Sequence, residues 1–127
     1  MVLYLTLKEI LRLHYQVIED FGGSHGVRDE SRLHSIEQAP AQDVFGQEQY
    51  PGIFKKSAVY ARNIIGDHPF ADGNKRTGII CAVIFLNRNG IRLTATPREL
   101  EDFAMQIATD KLSVSEIATW FNDHAKK

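Results

Sequence analysis

A single cysteine, Cys81, stands in the whole sequence, so no disulfide can form within the chain. It lies inside an apolar run, where a buried, inert thiol is expected rather than a nucleophile. One cysteine also fits a reducing compartment. Net charge is nearly absent: 15 Lys and Arg stand against 16 Asp and Glu, giving −1. That balance removes the basic face that nucleic-acid binding requires, so the chain is not expected to bind nucleic acid by itself. It leaves room for a local anion site. Long hydrophobic runs are missing too. The longest, Ile79 to Leu86, falls well short of the roughly 20 residues that span a bilayer. The start, MVLYLTLKEI, has neither a basic leader region nor a small-residue cleavage site. The expected location is therefore the cytoplasm, with no membrane partner. There is no internal repeat, linker or low-complexity tract. What is present is 43% hydrophobic residues in 127, enough for one core and, by length, a single domain over residues 1–127.

Helix signals follow one another. Thr6 stands three residues before Glu9, the spacing of a capping box, and Leu7, Ile10, Leu11, Val17, Ile18 and Phe21 recur on one face behind it. Gly22 and Gly23 stop that helix. A second is expected from near Asp29, with Leu33 and Ile36 inward, ending before Pro40. Residues 40–52 read as a polar loop holding Phe45 and Tyr50. A third helix is expected from Pro51 or Gly52 to Ile65, burying Ile53, Phe54, Ala58, Ala61, Ile64 and Ile65. The segment from Asn74 to Asn89 is apolar all round between Ile79 and Leu86, which marks a central helix wrapped by others. After Gly90, IRLTA reads as a short strand or an extended link. Thr96, Pro97 and Glu99 open a further helix, and Ser113 opens the last, with Ile117, Trp120 and Phe121 to pack. The expectation is an all-α fold of about six helices around a central buried one.

Between the third helix and the central one lies DHPFADGNKRT, residues 67–77. Pro69 and Gly73 make it a loop. It delivers the chain to a helix N-terminus, which binds anions through free N–H groups and the helix dipole. Yet Lys75 and Arg76 stand in that first turn, where the dipole disfavours cations. An anion between them, phosphate above all, resolves the conflict. Asp72 beside a phosphate requires a bridging divalent cation, and Mg²⁺ suits one carboxylate plus phosphate oxygens. His68 can exchange a proton near neutral pH. Phe70 is expected to anchor the loop inward. Each residue also has a structural reading. His68 can be a helix-capping histidine, as can His14, His25, His34 and His124; Asp72 or Asn74 can be an N-cap; the two cations can be solvated. None of these explains why two cations open the most buried helix. Other phosphate and metal motifs fail. The glycine spacing of a P-loop is absent, Pro69 and Ala71 stand where an EF-hand loop needs oxygen ligands, and no second histidine lies close by for zinc.

HPFADGNKRT resembles the signature of the Fic/Doc family, H-x-F-x-[DE]-[AG]-N-[GK]-R. The length, the helical reading and the stretch LHYQVIEDFGGSHGVRD resemble the Doc branch, the toxins of Phd/Doc-type toxin–antitoxin pairs, over essentially the whole chain. The resemblance implies the Fic/Doc (Fido) fold, with His68 as general base for an attacking hydroxyl and Phe70 as buried anchor. It implies Asp72 as the Mg²⁺-holding residue, Gly73 and Asn74 as the phosphate-cradling turn, and Lys75 and Arg76 facing the nucleotide phosphates. Adenylyl-transferring members read G-N-G-R-x-x-R. Here Lys75 replaces the third small residue and Ile79 the second arginine. Doc-like toxins share that pattern, which implies a kinase moving the γ-phosphoryl group of ATP to a threonine of elongation factor Tu. No self-inhibitory [ST]-x-x-x-E-[GN] helix is visible, so a separate Phd-like antitoxin is implied. Adenylylation of a protein hydroxyl is the alternative. A catalytically silent partner-binding domain is the alternative of another class.

Overall fold

The computed structural model describes residues 1–127 and contains six α-helices, α1 (Leu7–Phe21), α2 (Glu30–Gln38), α3 (Ile53–Asp67), α4 (Asn74–Arg88), α5 (Pro97–Asp110) and α6 (Val114–Asp123). No helix is long and apolar enough to cross a membrane.

The expected caps form. The Thr6 hydroxyl accepts from Glu9 N–H at 3.2 Å while the Glu9 carboxylate accepts from Thr6 N–H at 2.9 Å. Thr96 with Glu99 opens α5, and Ser113 with Glu116 opens α6, in the same reciprocal way. Asp29 caps α2 by accepting from Arg32 N–H at 3.0 Å. That helix ends at Gln38, and Pro40 is buried in the 3-10 turn that follows.

Residues 40–52 carry more structure than a polar loop. Asp43–Val44 (β1) pairs antiparallel with Gln47–Glu48 (β2), Asp43 opposite Glu48 and Val44 opposite Gln47. Phe45 and Gly46 between them both have positive φ, 51° and 78°, the geometry of a tight hairpin turn. Phe45 is fully exposed at its tip, whereas Tyr50 packs against the core. After α4, the chain runs extended and pairs with the C-terminal end: Thr94 N–H donates to the His124 carbonyl and Lys126 N–H to the Arg92 carbonyl, each at 2.7 Å.

Apolar side chains of α4 pack on α3, α1 and α5, as a central helix requires, but α3 shares that place. Every residue from Lys56 to Ala61 is buried. The two helices meet at Gly78, where an added Cβ would stand 2.7 Å from Ile65 Cγ1 and 3.2 Å from the Ala61 carbonyl oxygen. Only glycine permits that approach. On its other side α4 is not fully wrapped. Ile80, Val83 and Ile84 remain half-buried in an apolar cleft of about 180 Å³ that Phe21, Arg76 and Leu100 help to line.

Candidate functional site

The loop from His68 to Gly73 joins α3 to α4, and the fold holds it from three sides. Residues 26–29 hold one. The Pro69 carbonyl accepts from Arg28 N–H at 2.7 Å and from Asp29 N–H at 3.1 Å, and Ala71 N–H donates to the Gly26 carbonyl at 3.1 Å. Helix α1 holds the second. The His14 ring stacks on Phe70 at 3.7 Å with 4° between planes, and His14 Nε2 lies 2.8 Å from the Asp72 carbonyl oxygen. A carbonyl only accepts, so Nε2 carries the proton. Burial pushes the His14 imidazole below its usual value, partly offset by that hydrogen bond, which favours the neutral ring the stack requires.

The third hold comes from Asn74. Its Oδ1 accepts from Phe70 N–H and its Nδ2 donates to the Phe70 carbonyl, both at 3.0 Å. The Asn74 amide is thus committed to building the loop, and what it offers a ligand is its backbone N–H. Phe70 is the buried anchor of the segment, 1% exposed.

His68 caps α3 in the left-handed conformation, φ 50° and ψ 58°, which costs a non-glycine residue about 1 kcal/mol or more. Its side chain is exposed and makes no hydrogen bond within the protein. Asp72 is exposed as well. Its Oδ2 accepts from Ser24 N–H at 2.8 Å, leaving Oδ1 free. Gly73 has φ 78°, and a Cβ there would stand 3.0 Å from Ile18 Cδ1. The turn therefore needs glycine for its backbone conformation and for its fit against α1.

No side chain caps α4, and its first turn has no acidic residue. Thr77 N–H makes the first bond, to the Gly73 carbonyl at 2.9 Å, so the N–H groups of Asn74, Lys75 and Arg76 lack intrahelical acceptors. Lys75 is exposed and takes part in none of the ion pairs. Arg76 is tethered, its guanidinium 4.2 Å from the centre of the Phe21 ring and 3.5 Å from Glu101 Oε1. Nowhere do three His, Cys, Asp or Glu side chains gather to hold a metal ion. A cation at Asp72 would draw its other ligands from phosphate oxygens and water, the coordination Mg²⁺ favours.

The helix end is thus uncapped, with free donors, an unpaired lysine and one half-free carboxylate, and the loop that leads to it starts at an exposed histidine. Residues 4–86 match the model of the Fic/DOC family, a span that takes in α1, the loop and most of α4. The chain belongs to the Fic/DOC family. Among similar proteins is one named Protein kinase doc, from Escherichia phage P1. It is 34% identical over 115 residues, covering 91% of this chain and 90% of that protein. Another is named Toxin Doc, from Mycolicibacterium smegmatis, 34% identical over 100 residues and 77% of each chain.

Beyond the Fic/DOC motif, His68 stands on the rim of a groove of about 660 Å³ between α2, α3 and the end of α5, with Arg32, Tyr50, Arg62, Asp67 and Lys111 among its walls. Residues 70–76 lie outside that groove. His68 thus borders the groove, while the N-terminus of α4 lies outside it. Sequence reasoning missed His14, Ser24, the Asn74 clamp and the groove. One signal was available: His14 falls on the buried face of α1 with Ile10, Val17 and Ile18, an awkward place for a polar ring with no partner.

Proposed function

We propose that this chain is a Doc-type toxin, a single Fic/DOC domain working as an ATP-dependent protein kinase in the cytoplasm. It would transfer the γ-phosphoryl group of ATP to a hydroxyl of a translation factor, with elongation factor Tu as the first candidate. The observation that carries this reading is the uncapped N-terminus of α4, flanked by unpaired Lys75 and by Asp72, at the end of the loop that begins with exposed His68.

The chemistry follows from that layout. The free N–H groups of α4, with Lys75 and Arg76, would hold the phosphates and neutralise developing charge. Asp72 would hold a Mg²⁺ ion, which supplies further charge neutralisation on the phosphate oxygens. An acceptor hydroxyl reaching His68 from the groove side would lose its proton to a ring nitrogen as its oxygen bonds to the γ-phosphorus. The bond from that phosphorus to the bridging oxygen breaks, and ADP leaves. A positioned base contributes typically about 10²–10⁴-fold, while positioning and charge neutralisation carry most of a phosphoryl transfer.

Adenylyl transfer is the second reading, since other members of the family are of that type. Ile79 counts against it. The side chain is 4% exposed and packed among the apolar residues of α4 and α5, so position 79 brings no second cation to the mouth. Incubation with a bacterial lysate and ATP labelled at the γ or the α position tests both. Label from the γ position alone is expected on the target; label from the α position alone would overturn the kinase reading.

A toxin requires an antitoxin, and we place a Phd-like partner, as an amphipathic helix, in the apolar cleft between α1, α4 and α5. Five apolar α4 and α5 side chains, Ile79, Ile80, Val83, Ile84 and Leu100, line it, with Arg76 at one edge. No residue of the 40–52 segment borders it.

A further inference from the structure

A lysine sits where a lysine is costly. Lys56 lies in the first turn of α3, is 1% exposed, and points its ammonium group at the β1–β2 hairpin. The positive end of the helix dipole disfavours a cation there. Burying an ammonium costs several kcal/mol unless it is paired. A leucine or methionine would fill the same space without either penalty.

Both partners of Lys56 lie on the outgoing side of the hairpin. Nζ donates to the Tyr50 carbonyl at 2.6 Å and stands 3.0 Å from Glu48 Oε1. Little else holds the hairpin in place. Every residue from Ala41 to Gln49 is exposed, and the hairpin closes on itself through Gln49 N–H to the Gln42 carbonyl at 2.9 Å. A two-stranded hairpin is marginal alone. Gln42 and Tyr50, at its base, line the groove on whose rim His68 stands.

We propose that Lys56, with Glu48, is a positioning clasp: it fixes the hairpin so that the groove is already shaped for the polypeptide that brings its hydroxyl to His68. This rests on the kinase reading above. The clasp acts through the groove wall and not on the nucleotide, whose phosphates belong at the mouth of α4. It predicts that target binding and nucleotide binding separate when the clasp is opened.

The test uses Lys56→Met and, independently, Glu48→Ala, which lies on the surface and leaves the core untouched. Each full-length variant is incubated with γ-labelled ATP and a dilution series of bacterial lysate, and initial labelling of the strongest band gives an apparent KM for the target. Lys56→Met is expected to keep the wild-type melting temperature within a few degrees, Glu48→Ala to lower it because the buried ammonium keeps only the Tyr50 carbonyl, and both to keep the wild-type affinity for Mg-ATP. The apparent KM is expected to rise about tenfold, with kcat within about twofold, because a displaced wall misplaces the substrate. Amide exchange over residues 43–48 is expected to quicken in Lys56→Met. Wild-type labelling by both variants would overturn the proposal. So would a loss that comes with a lower melting temperature and weaker nucleotide binding, which marks a merely structural role. If the wild-type chain itself transfers no γ-label, the kinase reading fails first, and the clasp falls with it.

Discussion

Replacing Asn74 by alanine isolates what the motif asparagine does. Its amide makes two hydrogen bonds with Phe70, accepting from the N–H and donating to the carbonyl, each 3.0 Å long and buried. Alanine leaves both main-chain groups without a partner, and an unsatisfied buried group costs about 1–3 kcal/mol. The sum, reduced by whatever water can enter, is about 2–5 kcal/mol, a large share of the roughly 5–15 kcal/mol that holds a domain folded. With a urea dependence of about 1.5 kcal/mol per M, the unfolding midpoint should fall by about 1–3 M. Transfer of γ-label should fall as well, because the loop that carries His68 and Asp72 loses its inner tie. Asn74→Asp sharpens the test. Aspartate still accepts from the Phe70 N–H, but it sets a carboxylate oxygen where Nδ2 faced the Phe70 carbonyl. It should therefore be no better than alanine at neutral pH. A midpoint within about 0.3 M of wild type for Asn74→Ala, with activity lost, would refute this reasoning and return the side chain to the ligand.

His68→Ala should abolish transfer while leaving the urea midpoint unchanged, since the ring is exposed and makes no hydrogen bond in the fold; retained wild-type transfer would remove the histidine from the mechanism. Asp72→Ala should weaken nucleotide binding in Mg²⁺ and make calorimetric titrations insensitive to a chelator. Gly78→Ala should destabilise by about 1–3 kcal/mol, read as a lower melting temperature, because its Cβ would meet Ile65 Cγ1 at 2.7 Å. Acid should loosen the loop through His14. Its folded value lies below the ordinary 6.5, so the unfolded chain binds more protons as pH falls below that value, and stability is lost in that direction. A flat stability profile from pH 7 to about 5, unchanged by His14→Gln, would contradict this.

The fold was legible because its signals are local. Three capping boxes, a proline at N1 of α5 and the period of Ile10, Val17 and Ile18 each depend on residues a turn apart. The hairpin was not legible. Asp43 to Glu48 is exposed on both faces, so no hydrophobic alternation betrays it, and its turn uses Phe45 at positive φ where glycine or asparagine would have announced it. Lys56 escaped for the opposite reason. In the run Lys55–Lys56 both look solvated, yet one is exposed and the other buried, because the acceptors that draw Lys56 inward sit six to eight residues earlier on a separate element. The site was legible as a string of residue types. Its division of labour was not, since that depends on α1 and on residues 23–29, far away in sequence.

That division decides what the motif can do. Of its polar groups, the Asn74 amide, the Asp72 carbonyl and one Asp72 carboxylate oxygen are committed to Phe70, His14 and Ser24. Arg76 is shared with Phe21 and Glu101. Apart from the buried Thr77 Oγ1, the groups without a partner are the His68 ring, Asp72 Oδ1, the Lys75 ammonium and the first N–H groups of α4. In the proposed kinase these would serve as proton acceptor, cation ligand and anion donors, on a loop that its neighbours hold in place. Phosphoryl transfer demands little covalent participation from a protein and much fixed geometry. A loop whose other polar atoms all serve to immobilise these few is built for that demand. Loosening it at the Asn74 or the His14 hold should therefore cost rate together with stability, although His14 lies outside the motif.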